Sequence, residues 1–406
     1  MPQSALSPTP AANKRSRLRH PLLLITGIML VAANLRAALT SVGPLLEQIQ
    51  QQLSLSATSA GLLNSLPLIL FAVLSPVTPS LAKRMGIERT LGMALLLLIG
   101  GIVLRSLPQT SMLWLGTVLI GAAIAFANVV LPTLVKRDFP SRAAAMIAGY
   151  AAVMSLVAAT ASGLAVPLAA LNNLGWRFSL LCWSLPALLA LMVWLPQLRR
   201  PAASATADTS ALQPAPSRSP WGSALGWQVA LFMGLQSITF YTIIGWFSAF
   251  AASHSTSPQQ AGFELFIYQV VAIAANFVMV FILPRARDQR AIALCSSLLI
   301  FTGVAGLLLM PANSLVWLIF AGLGAGSSLV LALSFFGLRS SHHHQATQLS
   351  GMAQSVGYLL AALGPTLFGL LHDLTQGWRL PLAILLTLTL LQMLFGILAG
   401  RNRVIR

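Results

Sequence analysis

Apolar residues in this chain come in long continuous runs rather than in alternation, and the runs recur along its whole length. Residues 22–46 read LLLITGIMLVAANLRAALTSVGPLL. At ~1.5 Å per helical residue this stretch reaches roughly 37 Å, enough to cross a bilayer with some tilt. Comparable runs lie at about 21–46, 59–81, 90–107, 112–135, 143–168, 178–197, 227–251, 261–283, 291–310, 314–338, 349–371 and 379–400. Each is close to the ~20 residues that a hydrocarbon core demands of a helix, so the pattern predicts twelve transmembrane spans. A β-barrel would instead alternate over short segments.

One long polar segment interrupts the series. Residues 201–220, rich in Pro, Ala, Ser and Thr, fall between spans six and seven and read as a flexible linker. The chain therefore divides into a tail at 1–20, a six-helix bundle at 21–197, a linker at 198–226, a second six-helix bundle at 227–400 and a tail at 401–406.

Composition agrees: 57% of the 406 residues are hydrophobic and 8% charged, with a mean hydropathy of +0.82. Soluble domains carry about 25% charged residues. The net charge of +17 could suggest nucleic acid, but the basic residues are scattered in small groups between the apolar runs. That is the positive-inside pattern, not a binding patch. With both termini placed in the cytoplasm, 20 of the 24 Lys and Arg fall on that side, against Arg105, Arg177 and Arg379 on the other. The first apolar run is too long for a signal-peptide core and is read as a retained helix. Cys182 and Cys295 both lie inside apolar runs, as packing residues, and imply no disulfide framework.

The halves echo each other at an offset of 202. Gly175-Trp176-Arg177 recurs at Gly377-Trp378-Arg379, Arg137 at Arg339, Gly149 at Gly351 and Gly43 at Gly245. Glu88-Arg89 resembles Asp288-Gln289-Arg290 at nearly the same spacing. Two parallel six-span repeats with a site between them are an arrangement found in transporters.

The residue that stands out is Arg36, near the middle of span one. A guanidinium at that depth costs ~2.5–3.5 kcal/mol on insertion scales and cannot shed its proton. It should face a cavity, where its planar fork can hold an anion or an electron-rich group. Its counterpart in the second half is Ile238, so the fixed charge comes from one half alone. Thr40 shares its helical face, and Asn34 points about 200° away, toward a neighbouring helix. On span seven the matching face carries Tyr241, Thr242 and Gly245, with Trp246 alongside. Asn64, Asn128, Tyr150, Gln269, Asn276, Gln354 and Tyr358 are further polar groups at depth. From these we assign Arg36, Thr40, Asn128, Tyr241, Trp246, Gln269, Gln354 and Tyr358 to a candidate binding site.

All seven acidic residues lie at span ends or in loops, so no buried proton relay is evident. His342-His343-His344 sits in a loop, and three adjacent histidines are poorly placed to share one metal. A membrane enzyme would need a nucleophile, paired carboxylates or a metal set at depth. A receptor would need a folded output domain. The sequence offers neither, and calls for no cofactor.

Asn34-Leu35-Arg36 followed by Thr40-Ser41-Val42-Gly43-Pro44-Leu45-Leu46 resembles the first helix of the cyanate permease and 2-nitroimidazole transporter family of the major facilitator superfamily. Leu131-Pro132 with Lys136-Arg137-Asp138-Phe139-Pro140, and Leu349-Ser350-Gly351-Met352-Ala353-Gln354-Ser355-Val356-Gly357-Tyr358, resemble its fourth and eleventh spans. The likeness runs over nearly the whole chain, and these details are nearer the nitroimidazole side of the family. It implies a monomeric secondary transporter of the bacterial inner membrane. Export of a 2-nitroimidazole is the first expectation; uptake of cyanate or another small organic anion is the alternative. Arg36 by itself does not choose between them. In this superfamily the loop after span two carries an acidic residue beside an Arg and a Gly that gate the site. Here Lys83 stands at the acidic position, next to Arg84 and Gly86, so Glu88 or Asp138 would have to replace it.

Overall fold

The computed structural model describes residues 21–199, 219–341 and 343–405. The basic tail before Pro21, most of the linker and His342 lie outside the described residues. Among the described residues the secondary structure is helical, without strands, and twelve helices are long and apolar enough to cross a membrane. Spans 1–6 cover Leu22–Leu53, Ala57–Leu74, Ile87–Arg105, Thr110–Asp138, Ala145–Ala170 and Trp176–Leu198. Spans 7–12 cover Ala224–Ala252, Pro258–Arg285, Arg290–Leu309, Pro311–Leu338, Gln345–Thr375 and Arg379–Ala399. Helices dominate because a segment in hydrocarbon must satisfy its own backbone. Serine side chains at Ser56, Ser223 and Ser257 cap the starts of spans 2, 7 and 8.

Span 1 is not continuous. Its α-helix stops at Thr40, passes through a short 3-10 turn at Gly43–Leu45 and resumes at Leu46–Leu53. Pro44 has no N–H to offer the Thr40 carbonyl four residues earlier. Ser162 of span 5 supplies the missing donor at 3.1 Å. The Val42 N–H turns to Leu39, away from Ala38, and the Nη1 of Arg105 on span 3 donates to the Ala38 carbonyl at 2.7 Å. A cation at a helix C-terminus also meets the negative end of the helix dipole. Arg105 is thus buried inside the first bundle, not set at the membrane surface where its charge alone would put it.

Spans 1–6 and 7–12 form two six-helix bundles, and the repeat is visible in side-chain detail. Arg137 on span 4 binds Glu88 on span 3 at 2.5 Å, and Arg339, after span 10, donates to Gln289, just before span 9. The same contact is made twice, once with a carboxylate and once with an amide. The bundles meet along spans 1, 2 and 5 against 7, 8 and 11. Gly43 and Gly245, repeat-related, both lie in this seam. A Cβ on Gly43 would sit 2.0 Å from the Ile244 carbonyl oxygen, and one on Gly245 would sit 2.9 Å from Asn64. Glycine is what lets spans 1 and 7 cross so closely.

At the end of the seam away from the linker the bundles are tied by polar contacts. Asp373 of span 11 accepts from the N–H groups of Ala57 and Thr58 at 3.0 and 2.7 Å, and from the Thr58 hydroxyl at 2.6 Å. It covers the N-terminus of span 2, whose first N–H groups have no partner of their own. Thr366 donates to Ser65 at 2.8 Å.

Candidate functional site

An open cavity lies in the seam, and the empty space in it, counted together with the solvent it opens to, is about 630 Å³. Arg36 and Ser155 line it from the first bundle. Gln236, Ser237, Phe240, Tyr241, Gln269, Asn276 and Tyr358 line it from the second. No carboxylate is among the lining residues. The Arg36 guanidinium stands 5.9 Å from the centre of the Phe240 ring and makes no hydrogen bond or ion pair with a described residue. It is a free fork of donors, with a ring face beside it to steady its charge. Phe240 in turn meets Tyr241 edge-on, with ring centres 5.3 Å apart. Tyr358 lines the same cavity, and its ring packs edge-on against Phe71 of the first bundle at 5.5 Å.

Four of the eight residues assigned from sequence line this cavity: Arg36, Tyr241, Gln269 and Tyr358. The other four do not. Thr40 turns its hydroxyl to the Ala158 carbonyl at 2.8 Å, and so fastens the end of the broken helix to span 5. Trp246 is buried, its indole N–H on the Pro365 carbonyl at 2.8 Å and its ring beside Phe368 and Trp378. The aromatic place beside Arg36 belongs to Phe240. Asn128 is exposed on span 4, away from the lining. Gln354 bonds the Ser350 hydroxyl at 2.8 Å. Asn34 donates to Leu30 and, on span 6, Pro186, so it serves helix packing as its angle from Arg36 predicts.

Sequence reasoning missed Gln236, Ser237 and Phe240, and left Asn276 out of the assignment. The offset of 202 directs attention to the face of Ile238, but Ile238 is buried in an apolar cluster. The cavity borders positions about one turn nearer the start of span 7. A Gln-Ser pair one turn before Tyr241 was the available signal.

The residues expected at the gate lie at the linker end. Lys83 and Arg84 are exposed on the last turn of a short helix, Thr78–Met85, and Gly86 with φ +90° turns the chain into span 3. Asp138 pairs with its neighbour Arg137 at 2.7 Å. Together with Glu88, these charges tie span 3 to span 4 within one bundle.

Gln269 also reaches across the seam. Its amide nitrogen donates to Ser162 at 2.8 Å, and Ser162 donates to the Thr40 carbonyl. A residue of the cavity wall is therefore linked, through one hydroxyl, to the break in span 1 four residues beyond Arg36.

The sequence profile of the Major Facilitator Superfamily matches residues 28–365. The 2-nitroimidazole transporter of Escherichia coli K12 is 44% identical over 388 residues, covering 96% of this chain and 98% of that one. The cyanate transport protein CynX of the same organism is 28% identical over 354 residues, 86% of this chain and 90% of that one. Among solved structures, a bacterial homologue of the human lysosomal transporter Spinster, in an inward-facing and unoccupied conformation, matches with a TM-score of 0.79. It covers 93% of this chain and 96% of that one at 15% identity, a likeness of fold alone. Two six-helix bundles around a seam cavity, and close relatives that are transporters and not enzymes, give one result: the chain belongs to the major facilitator superfamily and is a multi-pass membrane transporter working by alternating access.

Proposed function

We propose that this chain exports a small nitroheterocycle of the 2-nitroimidazole type from the bacterial cytoplasm across the inner membrane. The observation that carries the reading is the Arg36 guanidinium, unpaired in a cavity without carboxylates. A nitro group is a planar, two-oxygen acceptor that suits the guanidinium fork. The neighbouring Phe240, Tyr241 and Tyr358 rings suit a flat solute. The 44% identity with a 2-nitroimidazole transporter supports the same choice. Uptake of cyanate or another small organic anion is the second reading, since a lone cation also serves an anion and the CynX relative transports cyanate. Asymmetry of the basic residues supports a cytoplasmic linker and termini. In that orientation the bonded end of the seam is periplasmic. Lys83, Arg84, Gly86 and Asp138 then border the cytoplasmic entrance. One chain holds both bundles and the whole cavity, which fits a monomer.

The test is flux of labelled 2-nitroimidazole, and separately of cyanate, into liposomes carrying the purified protein. Arg36→Ala should abolish flux while the protein stays folded in the membrane. Arg36→Lys keeps the charge, loses the fork and should be impaired. Undiminished flux by a well-folded Arg36→Ala variant overturns the reading. Flux of cyanate without flux of the nitroheterocycle favours the second.

A further inference from the structure

The cavity wall facing Arg36 carries three side-chain amides: Gln236 on span 7, and Gln269 and Asn276 on span 8. In each, the NH2 group is already engaged by the protein. Gln236 donates to the Met233 carbonyl at 3.2 Å and to Ser237 at 2.7 Å. Gln269 donates to the Leu265 carbonyl at 3.2 Å and to Ser162 at 2.8 Å. Asn276, in the orientation its surroundings dictate, donates to the Gly326 carbonyl at 2.8 Å and the Ala272 carbonyl at 3.3 Å. A backbone carbonyl only accepts, so in all three the nitrogen must be the atom that faces it. That fixes the amide oxygens as well, and none of them receives a hydrogen bond from a described residue.

The site is therefore polarised. One wall offers a cation with free donors; the other offers three oxygens that only accept. A solute made solely of acceptors would satisfy Arg36 and leave the amide oxygens without a donor. A cationic solute would satisfy the oxygens but meet Arg36 as a like charge. Both demands are met by a solute with an electron-rich group on one side and an uncharged N–H or O–H on the other. We infer that Gln236, Gln269 and Asn276 are specificity residues that read a neutral hydrogen-bond donor on the solute, opposite the acceptor group held by Arg36. The inference rests on the proposed function and narrows it: acceptor-only linear anions become poor ligands, and a heterocycle that keeps its ring N–H becomes a good one.

Binding to the purified full-length protein tests this with two matched pairs. One is 2-nitroimidazole against its 1-methyl derivative; the other is imidazole-2-carboxylate against its 1-methyl derivative. Each is measured at a pH where the unmethylated ring retains its N–H. The N–H member of each pair should bind about tenfold tighter, the worth of one good hydrogen bond into a site built for it. Gln236→Met and Asn276→Leu should erase that ratio. Arg36→Met should weaken both members of a pair alike and leave the ratio in place. Equal binding of the methylated and unmethylated members by the unaltered protein overturns the donor inference while the role of Arg36 stands. Binding that Arg36→Met does not weaken overturns the functional reading itself.

Discussion

Arg105 is the least expected residue in the molecule. The residue is 1% exposed, and among the described residues its guanidinium makes one bond, to the Ala38 carbonyl, with Nε and Nη2 buried without partners. A buried cation lacking a carboxylate is an expensive way to make one hydrogen bond, so its worth lies in holding the end of the broken helix two residues past Arg36. Replacement by Met removes the desolvated charge and fills similar space. The lost bond to a charged donor is worth about 1.5–3 kcal/mol, and the relieved burial offsets it. Arg105→Met should therefore shift the thermal midpoint in detergent by only a few degrees and still lower transport in liposomes, because the Arg36 turn loses its anchor. Equal loss of melting temperature and of folded yield would mark Arg105 as a plain packing residue. Its position in sequence, at the end of an apolar run, looks the same as that of a surface arginine. Only the freed carbonyl at Ala38 distinguishes the two, and that depends on how the chain bends at Gly43-Pro44.

At the scale of elements, the spans were legible because continuous apolar runs of this length admit almost no other structure in a bilayer. Their facing was legible only in part. Helical spacing placed Asn34 correctly, since it needs only an angle relative to Arg36. It fails for Thr40 and Trp246, because the helix of span 1 breaks at Thr40 and the face of span 7 is not a copy of its repeat partner on span 1. Thr40 sits at a break, and Trp246 is carried into the aromatic packing that closes one end of the seam. The close crossing of spans 1 and 7 gives a direct test of that geometry. Gly43→Ala places a Cβ 2.0 Å from the Ile244 carbonyl oxygen, and backbone cannot move aside cheaply. The variant should fail to adopt this arrangement. It should lose transport and expose a cysteine introduced at Thr366, by thiol-labelling rate, well above the same cysteine in an otherwise unaltered chain. Ser162→Ala should be milder. It removes the donor to Thr40 and the acceptor of Gln269, and should lower stability by about 1–3 kcal/mol by calorimetry.

For the whole molecule, the two-bundle plan was readable from the repeat, and the asymmetric charge from the pairing of Arg36 with Ile238. The lock at the bonded end was not readable. Asp373 lies 315 residues from Thr58 in sequence, and nothing in its neighbourhood marks it as a cap for another helix. Loss of such a cap is worth about 0.5–2 kcal/mol. Asp373→Ala should thus raise the labelling rate of a cysteine at Ser65 by roughly twofold to thirtyfold. Asp373→Asn, which keeps an acceptor but not the charge, should fall between. An unchanged rate in Asp373→Ala would mean that the apolar seam alone keeps this end shut. The acidic position missing at Lys83 in the opposite loop fits this picture: the charge-to-helix contact visible in this chain holds the far end of the seam.

Among the described residues Arg36 has no counter-ion in the cavity, and such a charge should make the empty carrier sensitive to voltage. When the opening switches sides, one elementary charge passes from contact with one aqueous phase to contact with the other. A full traverse of the field is worth about 2.3 kcal/mol per 100 mV. An inside-negative potential should hold the unloaded protein with Arg36 facing the negative compartment. A bound anion cancels that bias, whereas a neutral solute leaves it in force. Clamping liposomes at opposite potassium diffusion potentials would then separate the two kinds of cargo by current alone.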